Sequence, residues 1–465
     1  MQSDVLRTLG FPYPAGFVGT AHWRTGMAPD DAPRIAIACQ GGGSHTAFTA
    51  GVLARWLTPE VLDHYNVVGL SGTSGGAICA LLGWAALIED KPELAKQRLD
   101  SFWAANSAGS PPEMIINEML LAAFKLSHYV SAPAISPYST PTSTWSLEHL
   151  RTMLEQTLDF PAVTARAAEV GADAPLLLLG AVDVLSGSFK AFNSHDGEIS
   201  PDAVLASAAI PNLFRSVPVD GHLYWDGLFS QNPPVGDLLY AYPDEIWVIQ
   251  INPTERVTEP TSVMEIEDRR NELGGNLSLY QELNFIEQID KLIERGALRT
   301  DTYRPVTIRI LEMNRPPSSE RLGYASKLNR DPKFLRSLIE QGDDQAGEFL
   351  AALRFEQAWD AGDVDAVLGF FGDDAVMRAA EPFRELATTR DRVVQCEFLA
   401  RSLGAGVTID HNRKQIVKRT HAKWRVRAML DGRRVEGMAV ADFSGGQVIR
   451  FALGTVDMFP LDPEE

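Results

Sequence analysis

Apolar runs and glycine-rich turns alternate along the first three quarters of the chain. Clusters of β-branched and other apolar residues predict buried strands at residues 34–39, 67–70, 176–184, 245–251 and 306–311. Helical spacing of apolar residues follows the first two strands directly. An order of strand, glycine loop, helix, strand, tight turn and helix is typical of α/β folds, so the pattern predicts a doubly wound, mostly parallel sheet.

Further elements are predicted between and after these strands. Residues 189–192 are predicted to form a hairpin with the strand at 176–184, across a Ser-Gly turn. Helical patterns continue through Trp56 after the first glycine loop, and recur at residues 114–124, 203–209, 282–295, 334–339 and 346–355.

The pattern changes near residue 350. Residues 355–367 predict two short helices across a glycine turn, and residues 391–402 predict a third helix. Long alternating strands are predicted at residues 416–429, 435–443 and 448–458, with turns at 431–432 and 444–446. Helices followed by an antiparallel meander indicate a separate α+β domain. The predicted organisation is an N-terminal arm at 1–33, an α/β domain at 34–350 and the α+β domain at 351–465.

Composition and net charge limit the classes of partner that the chain is expected to bind. The 465-residue chain is 45% hydrophobic and carries a net charge of -19, which argues against nucleic acid and against electrostatic binding to anionic lipid. Membrane contact would then have to be apolar, local and transient. The N-terminus lacks the basic and apolar regions of a signal peptide, and no apolar run is long enough to span a membrane, so we expect a soluble cytoplasmic protein.

Three cysteines, Cys39, Cys79 and Cys396, lie far apart in the sequence. Cys39 and Cys79 fall in apolar runs and are expected to be buried free thiols. No disulfide framework and no metal site is indicated, and we expect no cofactor.

The strand at 67–70 leads into a nucleophile-elbow pattern, Gly72-x-Ser74-x-Gly76. In such an elbow a strained turn holds the serine hydroxyl above the sheet at a helix N-terminus, and the flanking glycines leave room for it. The pattern is short, and an ordinary strand-to-helix turn also produces it. The strand–turn–helix setting is the one that the catalytic interpretation requires.

A triple glycine, Gly41-Gly42-Gly43, followed by Ser44, lies between the first strand and its helix. Glycines there let backbone N–H groups converge on an anionic oxygen, so beside a serine nucleophile this loop would form an oxyanion hole. A dinucleotide-binding loop is the competing interpretation. It fits poorly because Thr46 stands where the third glycine of that motif belongs.

The predicted nucleophile needs a base. Asp226-Gly227 follows an apolar strand, and its aromatic neighbours would desolvate the carboxylate and raise its basicity. An Asp-Gly pair is also an ordinary turn. His222 could pair with an earlier acid such as Asp183, but its Asp-Gly-His context favours a solvated turn residue. A Ser–Asp dyad without histidine is therefore the economical hypothesis.

These motifs occur in the order found in patatin-like phospholipases, which residues 34–350 resemble. The segment Ala206-Ser207-Ala208-Ala209-Ile210-Pro211, ahead of Asp226-Gly227, is similar as well. The resemblance implies acyl hydrolase chemistry with Ser74 as nucleophile, Asp226 as base and the oxyanion hole around Gly42, Gly43 and Ser44.

The chain departs from the usual family pattern just after the triple glycine. His45-Thr46 stand where the family usually has Arg or Lys and then Gly, and Gly76 stands where alanine is common. A bacterial subgroup carries His at the first of these positions. Ile251-Asn252-Pro253 and Tyr324-Ala325-Ser326-Lys327-Leu328 also resemble that subgroup. These departures concern rate and substrate more than reaction type.

The C-terminal domain resembles the cone-shaped fold of nuclear transport factor, ketosteroid isomerase and polyketide cyclase relatives, on element order and on residues 355–371. That fold encloses a pocket, which Asp410, His411 or His421 could line. Surface charges on the strands of a binding or dimerisation module are the favoured interpretation of these three residues.

Residues 107–144 carry Ser and Pro clusters at both ends and the apolar helix 114–124 between them. A core helix is the commoner explanation, and a lid or acyl-chain contact is the functional alternative.

The expected function is a serine acyl hydrolase of lipase or phospholipase type that cleaves lipid carboxylic esters through an acyl-enzyme. The alternatives are a lipid- or ligand-binding protein with a weak or silent hydrolase site, and a hydrolase of thioesters, lysolipids or storage polyesters. The expected partners are a lipid or other acyl ester and a second copy of the chain through its C-terminal domain.

Overall fold

The computed structural model describes part of the chain as two compact units. The described residues are 29, 31–127, 136–139, 142–211, 213–256, 258–300, 303–314, 322–380, 383, 386–411, 415–418, 421–430 and 433–454. One unit comprises Met1–Val306 and Arg315–Asp343, and the other comprises Thr307–Asn314 and Asp344–Glu465. Most of the expected arm at 1–33 and the expected turn at 431–432 lie outside the described residues. The domain boundaries at 33/34 and 350/351 stay predictions.

The first unit contains the expected sheet. Its strands are β1 (Arg34–Cys39), β2 (Asn66–Gly72), β3 (Leu176–Asp183), β4 (Phe189–Asn193), β5 (Val217–Val219), β6 (His222–Asp226) and β7 (Glu245–Gln250). Their order is β7-β1-β2-β3-β6-β5, and β4 also pairs with β3. β1 is parallel to β2 and β7, β2 is parallel to β3, and the pairs at the β3 edge are antiparallel. The prediction of a mostly parallel α/β sheet is confirmed.

Helices surround this sheet. They are Ala47–Trp56, Pro59–Leu62, Gly75–Ile88, Glu93–Asn106, Pro111–Ser127, Thr142–Thr157, Phe160–Val170, Pro201–Ala208, Val263–Glu294 and the first part of Pro332–Asp360. The helix predicted at 282–295 starts earlier, at Val263, because a capping box at Ser262 begins it and two mid-helix glycines obscured the pattern. The segments at 334–339 and 346–355 are one continuous helix, Pro332–Asp360.

Gly342 explains why the sequence predicts two helices where the structure has one, Pro332–Asp360. A Cβ on Gly342 would lie 2.1 Å from the carbonyl oxygen of Phe48, and a Cβ on Gly51 would lie 2.0 Å from that of Ile339. Helices Ala47–Trp56 and Pro332–Asp360 therefore touch backbone to backbone at reciprocal glycines. Gly342 is present for packing and does not end the helix.

The core of the first unit lies around β1, β2 and the helix Gly75–Ile88, all of whose residues are buried. The free thiols Cys39 and Cys79 are buried there as expected, and burial raises the pKa of both, that of Cys79 to about 12. Trp247 on β7 packs edge-on against Trp56, with ring centroids 5.0 Å apart.

The helix Pro111–Ser127 corrects one expectation. Its central residues, including Ile115, Ile116 and Met119, are exposed, so the core-helix interpretation of 114–124 is wrong over the part whose side chains are described. An all-round apolar sequence does not reveal which side faces the protein. No helix in the described part of the chain combines the length and apolar character needed to cross a membrane.

The second unit is α+β, as predicted. Its strands are β8 (Thr307–Glu312), β9 (Phe371–Ala379), β10 (Leu386–Thr389), β11 (Thr408–Ile409), β12 (Gln415–Lys418), β13 (His421–Leu430), β14 (Arg433–Ser444) and β15 (Gln447–Gly454), in the order β10-β9-β15-β14-β13-β12-β8 with β11 on β13. Helices Val364–Gly369 and Arg392–Gly404 accompany them. The strand predicted at 416–429 is an antiparallel pair, β12 and β13, because one alternating pattern continues through both strands. The strands β9 and β10 were not predicted.

An aromatic cluster forms the core of this unit. Phe355, on the helix Pro332–Asp360, stacks on Trp424 of β13 with ring centroids 5.5 Å apart, and packs against Phe371, Phe443 and Phe451. Helices laid over a largely antiparallel sheet match the architecture expected of the cone-shaped domain.

Candidate active site

Ser74 lies at a strained bend between β2 and the helix Gly75–Ile88. Its backbone has φ 58° and ψ -132°, outside the regions that residues with a Cβ normally adopt. Its N–H is shared between the carbonyl oxygen of Ser207 at 3.0 Å and the Ser207 hydroxyl at 3.2 Å. The bend tolerates only glycine on either side. A Cβ on Gly72 would lie 2.4 Å from the Gly76 oxygen, and one on Gly76 would lie 2.3 Å from the Cys39 oxygen.

Asp226 ends β6 and is 1% exposed. Its Oδ1 accepts a hydrogen bond from Leu228 N–H at 2.8 Å, and its own N–H donates to the Ala209 oxygen at 2.9 Å. Gly227 lies so close to β3 that a Cβ there would be 2.6 Å from the Gly180 oxygen. The helix end at 206–209 thus holds both Ser74 and Asp226 by backbone hydrogen bonds.

The two side chains of the expected dyad face each other. Burial raises the pKa of Asp226 to about 7, and the Ser74 hydroxyl and Leu228 N–H offset part of that rise by stabilising the charged form. Asp226 Oδ2 is buried and accepts no hydrogen bond of standard geometry from the described residues. One carboxylate oxygen is therefore available for a proton.

The glycine loop lies directly beside the serine. A Cβ on Gly41 would lie 2.9 Å from the Cβ of Ser74. Gly43 has φ +59° and abuts the Lys327 oxygen, 2.4 Å from where its Cβ would be. Gly41 N–H donates to Asn232 Oδ1 at 2.7 Å, whereas among the described residues no acceptor lies against the N–H groups of Gly42 and Gly43. Ser44 is buried at the start of the short 3₁₀ turn that follows.

A buried amide network beneath the loop was missed from the sequence. Gln40 Oε1 accepts from the N–H groups of Ile251 and Asn252, at 2.9 and 2.7 Å, and Gln40 Nε2 donates to Asn276 Oδ1 at 3.0 Å. Asn252 Nδ2 donates to the Gly41 oxygen at 3.3 Å. A signal was present, because Gln40 and Asn252 follow β1 and β7, adjacent parallel strands whose carboxyl ends meet at one edge of the sheet.

The residues that depart from the family pattern also shape this loop. His45 is fully buried, and its Nε2 lies 2.7 Å from the Ser326 hydroxyl, which itself donates to the Gly323 oxygen. Because that hydroxyl has a single proton, His45 Nε2 is assigned as the donor. The Thr46 hydroxyl donates to the Gly43 oxygen at 2.6 Å. The side chains of His45 and Thr46 therefore hold the glycine loop in place through these hydrogen bonds.

An ion cluster anchors the segment Tyr324–Leu328 against the helix Val263–Glu294. Lys327 Nζ lies 2.9 Å from Asp268, and Arg256 Nε lies 2.9 Å from Glu272, with both carboxylates buried. Arg256 also pairs with Asp268. Three cations, Lys327, Arg256 and Arg269, share the two carboxylates here, and these ion pairs hold the backbone that supports Gly43.

His222 lies away from this dyad. His222 Nδ1 lies 2.7 Å from Asp183 Oδ2, the pairing considered from the sequence, but its side chain is 61% exposed. Hydrogen bonds from Ser186 N–H and from His222 lower the pKa of Asp183 to about 2. His222 begins β6 and Asp226 ends it, so about 13 Å of strand separates them.

The three residues that were candidates for a pocket lining in the second unit, Asp410, His411 and His421, each form an ion pair. Asp410 pairs with Arg427 at 2.6 Å, and His421 pairs with Asp442. His411 contacts Glu356 at 3.2 Å and Asp360 at 2.8 Å. The lining of the small cavity in this unit includes Arg309, Glu356, Gln415 and Trp424 but none of Asp410, His411 and His421.

One group in the described part of the chain has ligand atoms close enough together for a metal ion, namely Glu356, Asp360 and His411. Glu356 is already engaged, because it accepts from Arg309 at 2.7 and 2.8 Å and from Trp424 Nε1 at 2.9 Å. These contacts account for the cluster as an ion-pair network.

A known family model matches the part of the chain that contains the candidate site. Residues 37–239 match the family model described as patatin-like phospholipase. The chain carries a patatin-like domain. The matched range includes Ser74, Asp226 and the glycine loop, and it supports a lipid acyl hydrolase at the level of the family. A search of the curated proteins finds no match.

Solved structures match a smaller part of the chain. An NTF2-like protein of unknown function from Cytophaga hutchinsonii is 7% identical over 23% of this chain and 87% of its own, with a TM-score of 0.19. A putative polyketide cyclase from Sinorhizobium meliloti is 19% identical over 22% and 92%, with a TM-score of 0.19. An LEH-like epoxide hydrolase from M. tuberculosis is 18% identical over 23% and 81%, with a TM-score of 0.19.

Proposed function

We propose that the patatin-like domain hydrolyses carboxylic esters of lipids, with Ser74 as nucleophile and Asp226 as base. The observation that carries this proposal is a buried carboxyl group with a pKa of about 7, facing a serine on a strained elbow. A base with a pKa near neutral can both accept and return a proton at physiological pH. The family match supports lipid esters as the substrate class.

The proposed reaction has two halves. Asp226 takes the Ser74 proton as the serine oxygen attacks the ester carbonyl, and the N–H groups of Gly42 and Gly43 stabilise the tetrahedral oxyanion. Asp226 then returns the proton to the departing alcohol, which leaves an acyl group on Ser74. In the second half Asp226 takes a proton from water, the hydroxide attacks the acyl carbonyl, and the proton returns to Ser74 as the carboxylic acid leaves.

The loop contacts argue against a silent site. His45 and Thr46 are bonded to Ser326 and to Gly43, and neither interaction uses the N–H groups of Gly42 and Gly43. The unusual residues therefore support the loop and leave the N–H groups of Gly42 and Gly43 available.

The test compares ester hydrolysis by the wild-type chain, Ser74→Ala and Asp226→Asn. Each substitution should lower kcat by about 10³-fold or more, because each removes a group that acts in every turnover. His222→Ala is the matched control and should keep the wild-type rate, since its Asp183 pair lies at the other end of β6. A fluorophosphonate probe should label the wild-type chain and not Ser74→Ala. A folded wild-type chain that stays unlabelled would overturn the proposal.

A further inference from the structure

The helix Pro111–Ser127, here called the surface helix, exposes an unusual amount of apolar side chain. Met114, Ile115, Ile116, Met119 and Leu120 are between 41% and 67% exposed. Isolated exposed apolar residues are ordinary, but five large ones within seven positions form a concentrated apolar surface.

Helix geometry places four of these side chains together. At about 100° per residue, Ile115, Met119, Ile116 and Leu120 occupy one continuous arc of about 140°. Glu118, the exposed charge of this stretch, lies outside the arc on the side of Met114. We call these four residues the apolar arc.

The opposite side of the surface helix is anchored by polar contacts. Asn117 is buried, donates to Asn329 Oδ1 at 3.0 Å and accepts from Arg330 N–H at 2.9 Å. Arg330 in turn donates to the Asn106 oxygen at 2.6 Å. The apolar arc is therefore held facing outward, and its exposure is not a matter of a loosely attached helix.

The residues that anchor the surface helix also contact the segment that supports the glycine loop. Asn329 N–H donates to the Ser326 oxygen at 3.1 Å, and Ser326 and Lys327 carry the contacts to His45 and Gly43. The surface helix is thus joined by hydrogen bonds to the segment that positions the glycine loop.

We propose that the apolar arc docks the chain onto a lipid surface with zwitterionic or uncharged headgroups. The proposal rests on the proposed function, because a lipid ester is presented to an acyl hydrolase at such a surface. The arc contains no charged residue, and the net charge of -19 disfavours anionic lipid, so the attraction is apolar and favours surfaces whose headgroups carry no net charge. With no spanning helix among the described residues, this contact is peripheral.

Vesicle co-sedimentation tests the docking directly. The full chain carrying Ser74→Ala, which leaves the lipid intact, is mixed with phosphatidylcholine vesicles. It should bind, and adding Ile115→Ser, Ile116→Ser and Met119→Ser should weaken binding about tenfold or more. The matched control carries Leu185→Ser, Phe189→Ser and Tyr240→Ser, three comparably exposed apolar residues elsewhere, and should bind as before. Equal binding by both triple variants, or no binding by the parent chain, overturns the proposal.

Two further readouts separate the alternatives. With Ser74 intact, the arc variant should hydrolyse a monomeric short-chain ester at the wild-type rate, which reports an intact fold and site, while its rate on vesicle-borne ester falls. Failure of the fluorophosphonate label would overturn the proposed function without changing vesicle binding. If sedimentation velocity shows that the arc substitutions break a dimer and the parent chain ignores vesicles, the arc joins two copies and the docking proposal is overturned.

Discussion

Burying the Asp226 carboxylate costs folding free energy. A carboxyl group removed from water favours its neutral form, and the hydrogen bonds from the Ser74 hydroxyl and Leu228 N–H do not compensate for the lost solvation. The pKa of Asp226 in the folded state is raised above its unfolded value. The stability contributed by the neutral carboxyl group is therefore present at low pH and is lost as pH rises through about 7. Such a cost is typical of groups kept for chemistry.

The raised pKa predicts the pH dependence of hydrolysis. Only the deprotonated carboxylate can accept the Ser74 proton, so kcat/KM should rise with pH and level off above about pH 7, being about tenfold lower at pH 6 than on the plateau. A pH-rate profile on a soluble ester measures this. The residual activity of Asp226→Asn should lack the step. A plateau extending down to pH 5 would contradict the assignment.

The sequence could predict Ser74 and Asp226 because local motifs mark both of them. It could not predict Asn232 as the acceptor of Gly41 N–H, because the two lie 191 positions apart. The roles of Gln40 and Asn276 are hidden for the same reason, since their bond spans 236 positions. Contacts of this kind depend on which strands become neighbours, and a motif does not contain that information.

At the scale of elements, the glycine loop is clamped on two sides. The amide network holds it from the sheet, and the 324–328 segment holds it from the helix Val263–Glu294. Pre-set donors stabilise a transition state more than donors that must be ordered during the reaction. The clamps themselves touch no reacting atom, so their residues position the loop.

Removing one hydrogen bond that holds the glycine loop should slow catalysis more than it weakens substrate binding. Asn232→Ala deletes the acceptor of Gly41 N–H, and we expect kcat to fall about tenfold with KM changed less than twofold, because the oxyanion forms only after the substrate is bound. Steady-state kinetics measure the split. Ser194→Ala, which deletes the acceptor of Leu177 N–H at 2.8 Å, is the control and should leave kcat unchanged. Equal losses in the two variants would mean that Asn232 acts only on stability.

The prediction of helices and strands succeeded where the spacing of apolar residues fits a single type of buried element. The strands β1, β3 and β7 are apolar except at their terminal residues, and they were found within a residue or two. Errors arose where a pattern had two solutions. The surface helix is apolar on most of its circumference, and the alternation of β12 continues into β13, so neither orientation nor strand break could be derived from spacing.

At the scale of the whole molecule, each unit has its own buried polar centre. In the second unit, Arg309 and His411 lower the pKa of Glu356 to about 2 although burial alone would raise it. The pKa of His411 is raised to about 10 by Asp360 and Glu356, against the effect of burial. The Glu356 contribution to stability is present above its unfolded pKa and is lost as pH falls through about 2. That of His411 is lost as pH rises through about 10.

Breaking this centre should destabilise the second unit. Glu356→Gln leaves the Arg309 charge buried without its carboxylate, which typically costs about 3–5 kcal/mol and should appear as a lower Tm. Arg309→Met combined with Glu356→Leu should recover much of the loss, because the Arg309 charge is then no longer buried without its carboxylate. Glu436→Gln, at an exposed pair with Arg434, is the control and should change stability by less than about 1 kcal/mol. An unchanged Tm for Glu356→Gln would contradict this account.

The sequence predicted the two classes of fold in this chain but not the full course of the chain through them. The strand Thr307–Glu312 groups with the second unit although the residues on both sides of it, up to Val306 and from Arg315, group with the first. The helix Pro332–Asp360 likewise runs through the division at Asp343/Asp344. The chain thus changes unit more than once, and a single boundary in the sequence cannot describe that division.

The sealed thiols of the first unit have a practical consequence. Cys39 and Cys79 are buried and resist ionisation, whereas Cys396, on the helix Arg392–Gly404, is partly accessible. A maleimide dye added to the native chain should therefore mark a single position, and no cysteine has to be replaced beforehand. Because that position belongs to the second unit, the dye would supply an optical signal for its melting alone.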